Sequence, residues 1–328
     1  MKIAVVGLGA VGGLLAARLA TAGHQVAALA RGATLEVVRK RGLRVVSAGV
    51  ESRSEIRVSD DASTLGRQDL VIVALKSQSL AAATPGLAAL LGPETLVMPA
   101  MNGVPWWFLQ SAAGTPPCDD RRLASVDPDG AIAAALPLER VLGCVVHLGC
   151  ASPEPGVVRH GFGNRLIVGE PAGGASARVD TVCAVLADAG FACEASLDIR
   201  ADIWFKLWGN MTMNPVSALT GATADRILAD PLVRAFMLST MREAADVGAQ
   251  IGCPITQSGE ARLDLALELG AFKTSMLQDV EAGRSIELDA LVTAVHEIGR
   301  RVNIATPNID ALLGLTRLMA RERSLHAA

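Results

Sequence analysis

The chain has 328 residues, with Lys+Arg 30 against Asp+Glu 33 for a net charge of −3, hydrophobic residues at 51%, aromatics at 3% and no tyrosine. That near-neutral balance, with no basic run longer than residues 39–41, gives no footing for a nucleic-acid partner, and scarce aromatics remove base-stacking platforms. No stretch of about 18 apolar residues free of charges or breakers occurs, so no membrane partner is expected.

The first half alternates strand-like and helix-like segments. Lys2–Val6 is an apolar run that ends in glycine, and Ala10–Thr21 has a helical pattern closed by Gly23. An apolar start could be taken for a secretion signal, but a block holding Gly7, Gly9, Gly12 and Gly13 fits a strand and turn better. Further strands are expected at 25–30, 70–74, 95–98, 141–148, 165–168 and 191–195, with a helix at 176–189. Such alternation predicts a parallel sheet with helices on both faces. From residue 198 onward only helical periods appear, at 199–219, 231–251, 260–269, 285–301 and 308–321. Asp230-Pro231 and Thr306-Pro307 read as start signals. The expected fold is α/β: a Rossmann-type dinucleotide-binding domain over 1–197, then an all-helical domain over 198–328. The stretch 111–130 is the most loop-like.

Cys118, Cys144, Cys150, Cys183, Cys193 and Cys253 form no C-x-x-C pair and have no histidine at ligand spacing. They are expected to be buried thiols in a reducing cytoplasm, with no metal.

Gly7, Leu8, Gly9, Ala10, Val11 and Gly12 make a G-x-G-x-x-G run directly after a strand and opening a helix. The first glycine permits the turn, the second lets backbone approach a pyrophosphate, and the third allows close helix–sheet packing. The helix N-terminus then offers N–H groups to phosphate. Where NAD enzymes hold an acidic residue after the second strand, this chain has Arg31. A guanidinium suits a 2′-phosphate, so the cofactor is expected to be NADP(H). Lys76, after the strand at 70–74, is a further candidate for phosphate or ribose.

Lys206, Asn210 and Asn214 recur every four residues. On a helix that spacing turns about 40° and climbs about 6 Å per step, so the three share one face. Pro215 removes an N–H from the same segment and is expected to kink it. A polar stripe among Trp204, Phe205 and Trp208 reads as the wall of a site.

Together, the glycine run, Arg31, Lys76, Asn102-Gly103, the segment from Trp204 to Pro215, and Ser275 to Asp279 followed by Glu287-Leu288-Asp289 resemble the ketopantoate reductases. The resemblance spans nearly the whole chain. It implies a helical domain of the kind found at the C-terminus of 6-phosphogluconate dehydrogenase, with the active site in the cleft beside the Rossmann domain. It also implies NADPH-dependent reduction of 2-dehydropantoate to (R)-pantoate for pantothenate biosynthesis. By resemblance Lys206 is the general acid and Asn102 lies beside nicotinamide and substrate. Asn210, Asn214 and Ser275 bind substrate oxygens, and Glu287 holds the substrate or Lys206. The chemistry agrees: hydride attack puts negative charge on the keto oxygen, which an ammonium stabilises and then protonates.

The stretch after Asn102-Gly103, beginning Val104-Pro105-Trp106-Trp107-Phe108 and running to 140, reads as an insertion that could lid or reshape the pocket, which leaves a different 2-keto acid open as substrate. A β-hydroxyacid dehydrogenase, which also carries Lys-x-x-x-Asn on a helix, is a rival reading. So is a dinucleotide sensor without catalysis, although it would have no need of Lys206 and Glu287. The long apolar helices leave a homodimer open.

Overall fold

The computed structural model describes residues 1–111, 121–268 and 270–326; Cys118 and the part of the loop-like stretch over 112–120 lie outside them. The chain divides into two compact units, Met1–Met101 with Gly130–Asp202 and Asn102–Asp129 with Ile203–Ala328.

The first unit opens with β1 (Lys2–Val6), α1 (Ala10–Thr21), β2 (Gln25–Leu29), α2 (Gly32–Arg41), β3 (Leu43–Ser47), β4 (Val50–Ser54), β5 (Arg57–Ser59), β6 (Gln68–Val73), α3 (Ser77–Leu87) and β7 (Leu91–Pro99). After the excursion into the other unit it resumes with α4 (Ala131–Ala135), β8 (Gly143–Glu154), β9 (Val157–Gly169), α5 (Ala177–Asp188) and β10 (Ala192–Ser196). One sheet has the order β5-β2-β1-β6-β7, and every pair in it is parallel. Ile3, Ala4, Val5, Leu70, Val71 and Ile72 are fully buried, as a parallel strand covered on both faces requires. The chain goes from β1 to one neighbour, β2, and later to the other, β6. The glycine turn therefore leaves β1 at the switch point where such sheets bind ligands.

The expectation of a wholly parallel arrangement needs correcting. A second sheet is mixed. Its spine is β9, antiparallel to β8 along one edge. The other edge is shared by β3 at its start and β10 at its end, both parallel, while β3 and β4 form an antiparallel hairpin. The reasons lie in two tight turns. Pro155 and Gly156, with Gly156 at φ +73°, reverse β8 into β9, and Ala48 (φ +49°) with Gly49 (φ +78°) reverse β3 into β4. In the β3–β4 turn both central residues have positive φ, the geometry that matches strand twist in a two-residue hairpin.

The second unit contains α6 (Ile199–Thr220) from Ile203 onward, its first four residues being assigned to the first unit, and α7 (Ala224–Ala229), α8 (Pro231–Gln250), α9 (Gly259–Glu268) and α10 (Ser275–Glu281). A π-helical turn at Asp289–Thr293 leads into α11 (Ala294–Arg301), and α12 (Pro307–Glu322) follows. No strand occurs in it among the described residues. Asp230 caps α8 by accepting from the N–H groups of Leu232 and Val233, with Pro231 at the first helical position as its start signal implied. Pro215 does not end α6, which runs on to Thr220.

The aromatic segment after Val104 is core. Trp106, Trp107 and Phe108 are 2% exposed or less, and Phe108 stacks on Trp204 with centroids 5.9 Å apart. These three side chains therefore form no lid. Trp204 and Trp208 donate their indole N–H groups to the carbonyls of Ala244 (3.2 Å) and Met241 (2.7 Å) on α8, which satisfies both buried donors. α6 is thereby locked in place, and with it the polar residues on its other face. No helix among the described residues is long and apolar enough to cross a membrane.

Candidate active site

In the first unit the glycines divide their work by space. Gly7 sits at φ +96°, and a Cβ there would lie 2.7 Å from the Leu75 side chain and 2.8 Å from the Ala74 carbonyl oxygen. A Cβ on Gly12 would collide with the Gly7 carbonyl and approach Ala74 Cβ at 2.8 Å, so α1 can lie this close to β1 and β6 only with glycine there. Gly9, the N-cap of α1, has nothing within 4 Å of its Cβ position. That open backbone at a helix N-terminus is the cradle a pyrophosphate needs. Leu8 is buried beneath it, and Ala10 and Val11 begin the helix half-buried.

Arg31 is the N-cap of α2, directly past the carboxyl end of β2. It is exposed, and no carboxylate engages it among the described residues. Lys76 is the N-cap of α3, half-buried just past β6.

In the second unit three predicted residues come together although they lie far apart in sequence. Lys206 donates from Nζ to Asn102 Oδ1 at 2.8 Å. The same amide donates from Nδ2 toward Glu287 Oε2 at 3.4 Å. All three are half-buried. An amide is suited to this post because it accepts from an ammonium at one atom and donates to a carboxylate at the other. Each group is placed by a different element. Lys206 stands on α6. Asn102 begins a strap whose next residue, Gly103, adopts φ +83°, and whose Val104 donates its N–H to the Ala290 carbonyl at 2.8 Å. A Cβ on Gly103 would sit 2.5 Å from that same carbonyl oxygen, so the close approach requires glycine. Glu287 precedes the π turn that carries Ala290. π turns are rare and recur at functional sites.

Asn210 and Asn214 follow Lys206 along α6. Asn214 is 5% exposed and Asn210 half-buried, and neither amide is hydrogen bonded to a described residue. Both keep donors for a ligand's oxygens. Ser275 is exposed at the first position of α10, where the N-cap is Thr274, accepting from Leu277 N–H at 3.2 Å. Sequence reading passed over Arg262 on α9. Its guanidinium lies 5.0 Å from the Phe205 ring centroid, burial lowers its pKa, and no carboxylate pairs with it among the described residues. A lone arginine in an amphipathic helix carries no pattern that would have marked it.

The cysteines are less enclosed than expected. Of those described, Cys144 and Cys253 are buried, while Cys150, Cys183 and Cys193 are half-buried, all unbridged.

A Rossmann-type unit with an open glycine turn, joined in one chain to a helical unit bearing an ammonium–amide–carboxylate relay, defines an oxidoreductase that acts on CH–OH groups. Comparison with known proteins agrees. Residues 3–106 match the family described as "Ketopantoate reductase PanE/ApbA", and residues 198–320 match "Ketopantoate reductase PanE/ApbA C terminal". The chain belongs to the ketopantoate reductase family. It is 44% identical to a 2-dehydropantoate 2-reductase of Mesorhizobium japonicum over the full length of both chains. It is 56% identical, at TM-score 0.95, to a crystal structure from Ralstonia solanacearum MolK2 that carries a provisional ketopantoate reductase name, covering 99% of each chain. The 2-dehydropantoate 2-reductase of Methylococcus capsulatus, 27% identical at TM-score 0.83, covers 99% of this chain and 98% of its own.

Proposed function

We propose that the protein reduces a 2-keto acid with NADPH, and that the acid is 2-dehydropantoate, converted to (R)-pantoate for pantothenate biosynthesis. One observation carries the reading: the Lys206 ammonium bonded to Asn102, itself bonded to Glu287, on the same helix face as two amides with donors to spare. Full-length likeness to named 2-dehydropantoate 2-reductases supports the choice of substrate.

The residues present fit a dinucleotide. Gly9 leaves room above the N-terminus of α1, and Arg31 presents an exposed guanidinium, with no carboxylate on it among the described residues, at the end of β2. In this reading the first unit holds the cofactor, with Gly7 to Gly12 on the pyrophosphate, Arg31 on the 2′-phosphate and Lys76 nearby. The bound nicotinamide supplies a hydride to the keto carbon.

The second unit does the rest. Asn210, Asn214 and Ser275 donate to the substrate's oxygens and turn the keto group toward Lys206. As the carbonyl π electrons move onto oxygen, the Lys206 ammonium stabilises the growing charge and transfers a proton from Nζ to that oxygen. Asn102 holds Nζ in line, and Glu287, through the Asn102 amide, favours the charged lysine. Products are the 2-hydroxy acid and oxidised cofactor, so charge and protons balance.

The test is NADPH absorbance with a panel of 2-keto acids and, in reverse, NADP⁺ with 3-hydroxy acids. Fastest turnover with 2-dehydropantoate is the expected result. Turnover of 3-hydroxy acids with none of the 2-keto acids would overturn the reading.

A further inference from the structure

Glu287 lies outside regular structure, in the stretch between α10 and the π turn. Nothing helical holds its backbone, yet the segment is fastened on its two sides by two adjacent residues, one on each. Before Glu287, Ile286 donates its N–H to the Leu325 carbonyl at 2.9 Å. After it, Asp289 Oδ2 lies 2.9 Å from His326 Nε2, while Asp289 Oδ1 accepts the Thr293 hydroxyl at 3.0 Å. Ile286 and Leu325 are 2% and 3% exposed, so the backbone bond between them is shielded from water.

The fastening residues are themselves aimed by a helix end. At the close of α12, Ser324 N–H bonds to the Arg321 carbonyl and Leu325 N–H to the Ala320 carbonyl, with Ser324 at φ +55°. That pair of bonds around a left-handed residue is the Schellman arrangement, which turns the chain sharply at a helix terminus. Serine there carries a backbone strain that glycine would not, so the turn is held by what it docks. The imidazole is 14% exposed, and its Nδ1 is buried without a described partner. Burying that atom costs stability, which the Asp289 bond offsets.

We propose that Leu325 and His326 clamp the residue 286–289 segment and thereby position Glu287 against Asn102 for the reaction. His326 is a positioning residue: it acts through Asp289 and the segment that carries Glu287. The inference rests on the catalytic reading of Glu287, and the experiment separates the two.

The variants are His326→Leu, His326→Gln, Asp289→Ala, Glu287→Gln and the double variant Glu287→Gln/His326→Leu, all in the full chain. Measured are kcat, KM for keto acid and for NADPH, and Tm. Displacing a catalytic group by an ångström or less lowers rate far more than binding. His326→Leu is therefore expected to cut kcat about tenfold with KM for NADPH unchanged. Gln at 326 can keep a donor near the Nε2 position and is expected to recover most of that rate. Asp289→Ala removes the bond from the other side and should reproduce the loss. In the Glu287→Gln background, His326→Leu should add nothing further. Wild-type kcat in both His326→Leu and Asp289→Ala, with Glu287→Gln impaired, overturns the clamp alone. So does an equal further loss from His326→Leu in the Glu287→Gln background. Wild-type kcat in Glu287→Gln removes Glu287 from the chemistry and overturns the catalytic reading and the clamp together.

Discussion

Lys206 and Asn102 meet at 2.8 Å across 104 positions of sequence, ammonium donating to amide oxygen, and the other end of that amide faces Glu287. In the proposed mechanism Asn102 is the member that aligns the Lys206 ammonium with the substrate. Removing this middle member should disable the relay. Asn102→Ala is expected to lower kcat roughly 100-fold, since a misplaced ammonium loses both alignment and electrostatic effect. Steady-state kinetics check this; a kcat within twofold of wild type would place the relay outside the reaction.

Cofactor preference should follow Arg31. It is exposed at the N-cap of α2 with no carboxylate on it among the described residues. Two charge-assisted bonds to a 2′-phosphate are worth about 3 kcal/mol, roughly 100-fold in affinity. Arg31→Asp should weaken NADPH by about that factor and NADH far less. Fluorescence titration with both nucleotides gives the ratio, and equal losses would show that Arg31 does not read the phosphate.

Gly103 carries both a left-handed φ of +83° and a contact that leaves no room for Cβ, 2.5 Å from the Ala290 oxygen. Gly103→Ala is expected to cost about 1–3 kcal/mol of stability, from strain and from loss of the Val104–Ala290 bond. Because Asn102 is the preceding residue, kcat should fall as well. Thermal melts and kinetics on one preparation test the pair of effects; an unchanged Tm would contradict the packing described.

In the first unit, Glu170 accepts from Arg178 Nε at 2.6 Å and Nη2 at 2.5 Å, and from the Ser176 hydroxyl at 2.5 Å. Arg178 above all, aided by Ser176, holds the Glu170 carboxyl below its ordinary value of 4.5, against the opposing effect of burial. A carboxyl with a depressed folded pKa contributes stability above its unfolded value and loses it as pH falls through the folded one. Glu170→Gln should therefore lower Tm near neutrality and make Tm fall less steeply below about pH 4.5. Identical slopes for variant and wild type would rule out the linkage.

Some of this was legible in the sequence because local pattern and global fold agree there. The run from Lys2 to Val6, its glycines and the helix behind them need no distant contact to be read. Long helical periods marked the second unit equally well. The β3–β4 hairpin and the tips of β8 and β9 were missed because Gly, Pro, Ser and charged residues interrupt any alternation. β3 is nonetheless anchored in the core by Leu43 and Val45, 0% and 5% exposed. Helical periodicity also placed Glu287 inside a helix from 285, whereas the helix starts later with a π turn that a 3.6-residue period does not register. For the cap of α10, Thr274 and Ser275 are adjacent hydroxyls, and only the backbone shows that the threonine accepts the bond. Lys206, Asn210 and Asn214 could be joined by spacing on one helix. Asn102 and Glu287 came only through resemblance, because no spacing rule links a strap after β7 with a loop before α11.

The most direct measurement is single-turnover reduction of 2-dehydropantoate by Lys206→Ala, with and without added primary alkylamine. Loss of the acid should slow the step by about 10²–10⁴-fold, and an amine small enough to fill the vacated space should restore rate in proportion to its concentration. Reduction at the wild-type rate without amine would mean that Lys206 does not deliver the proton.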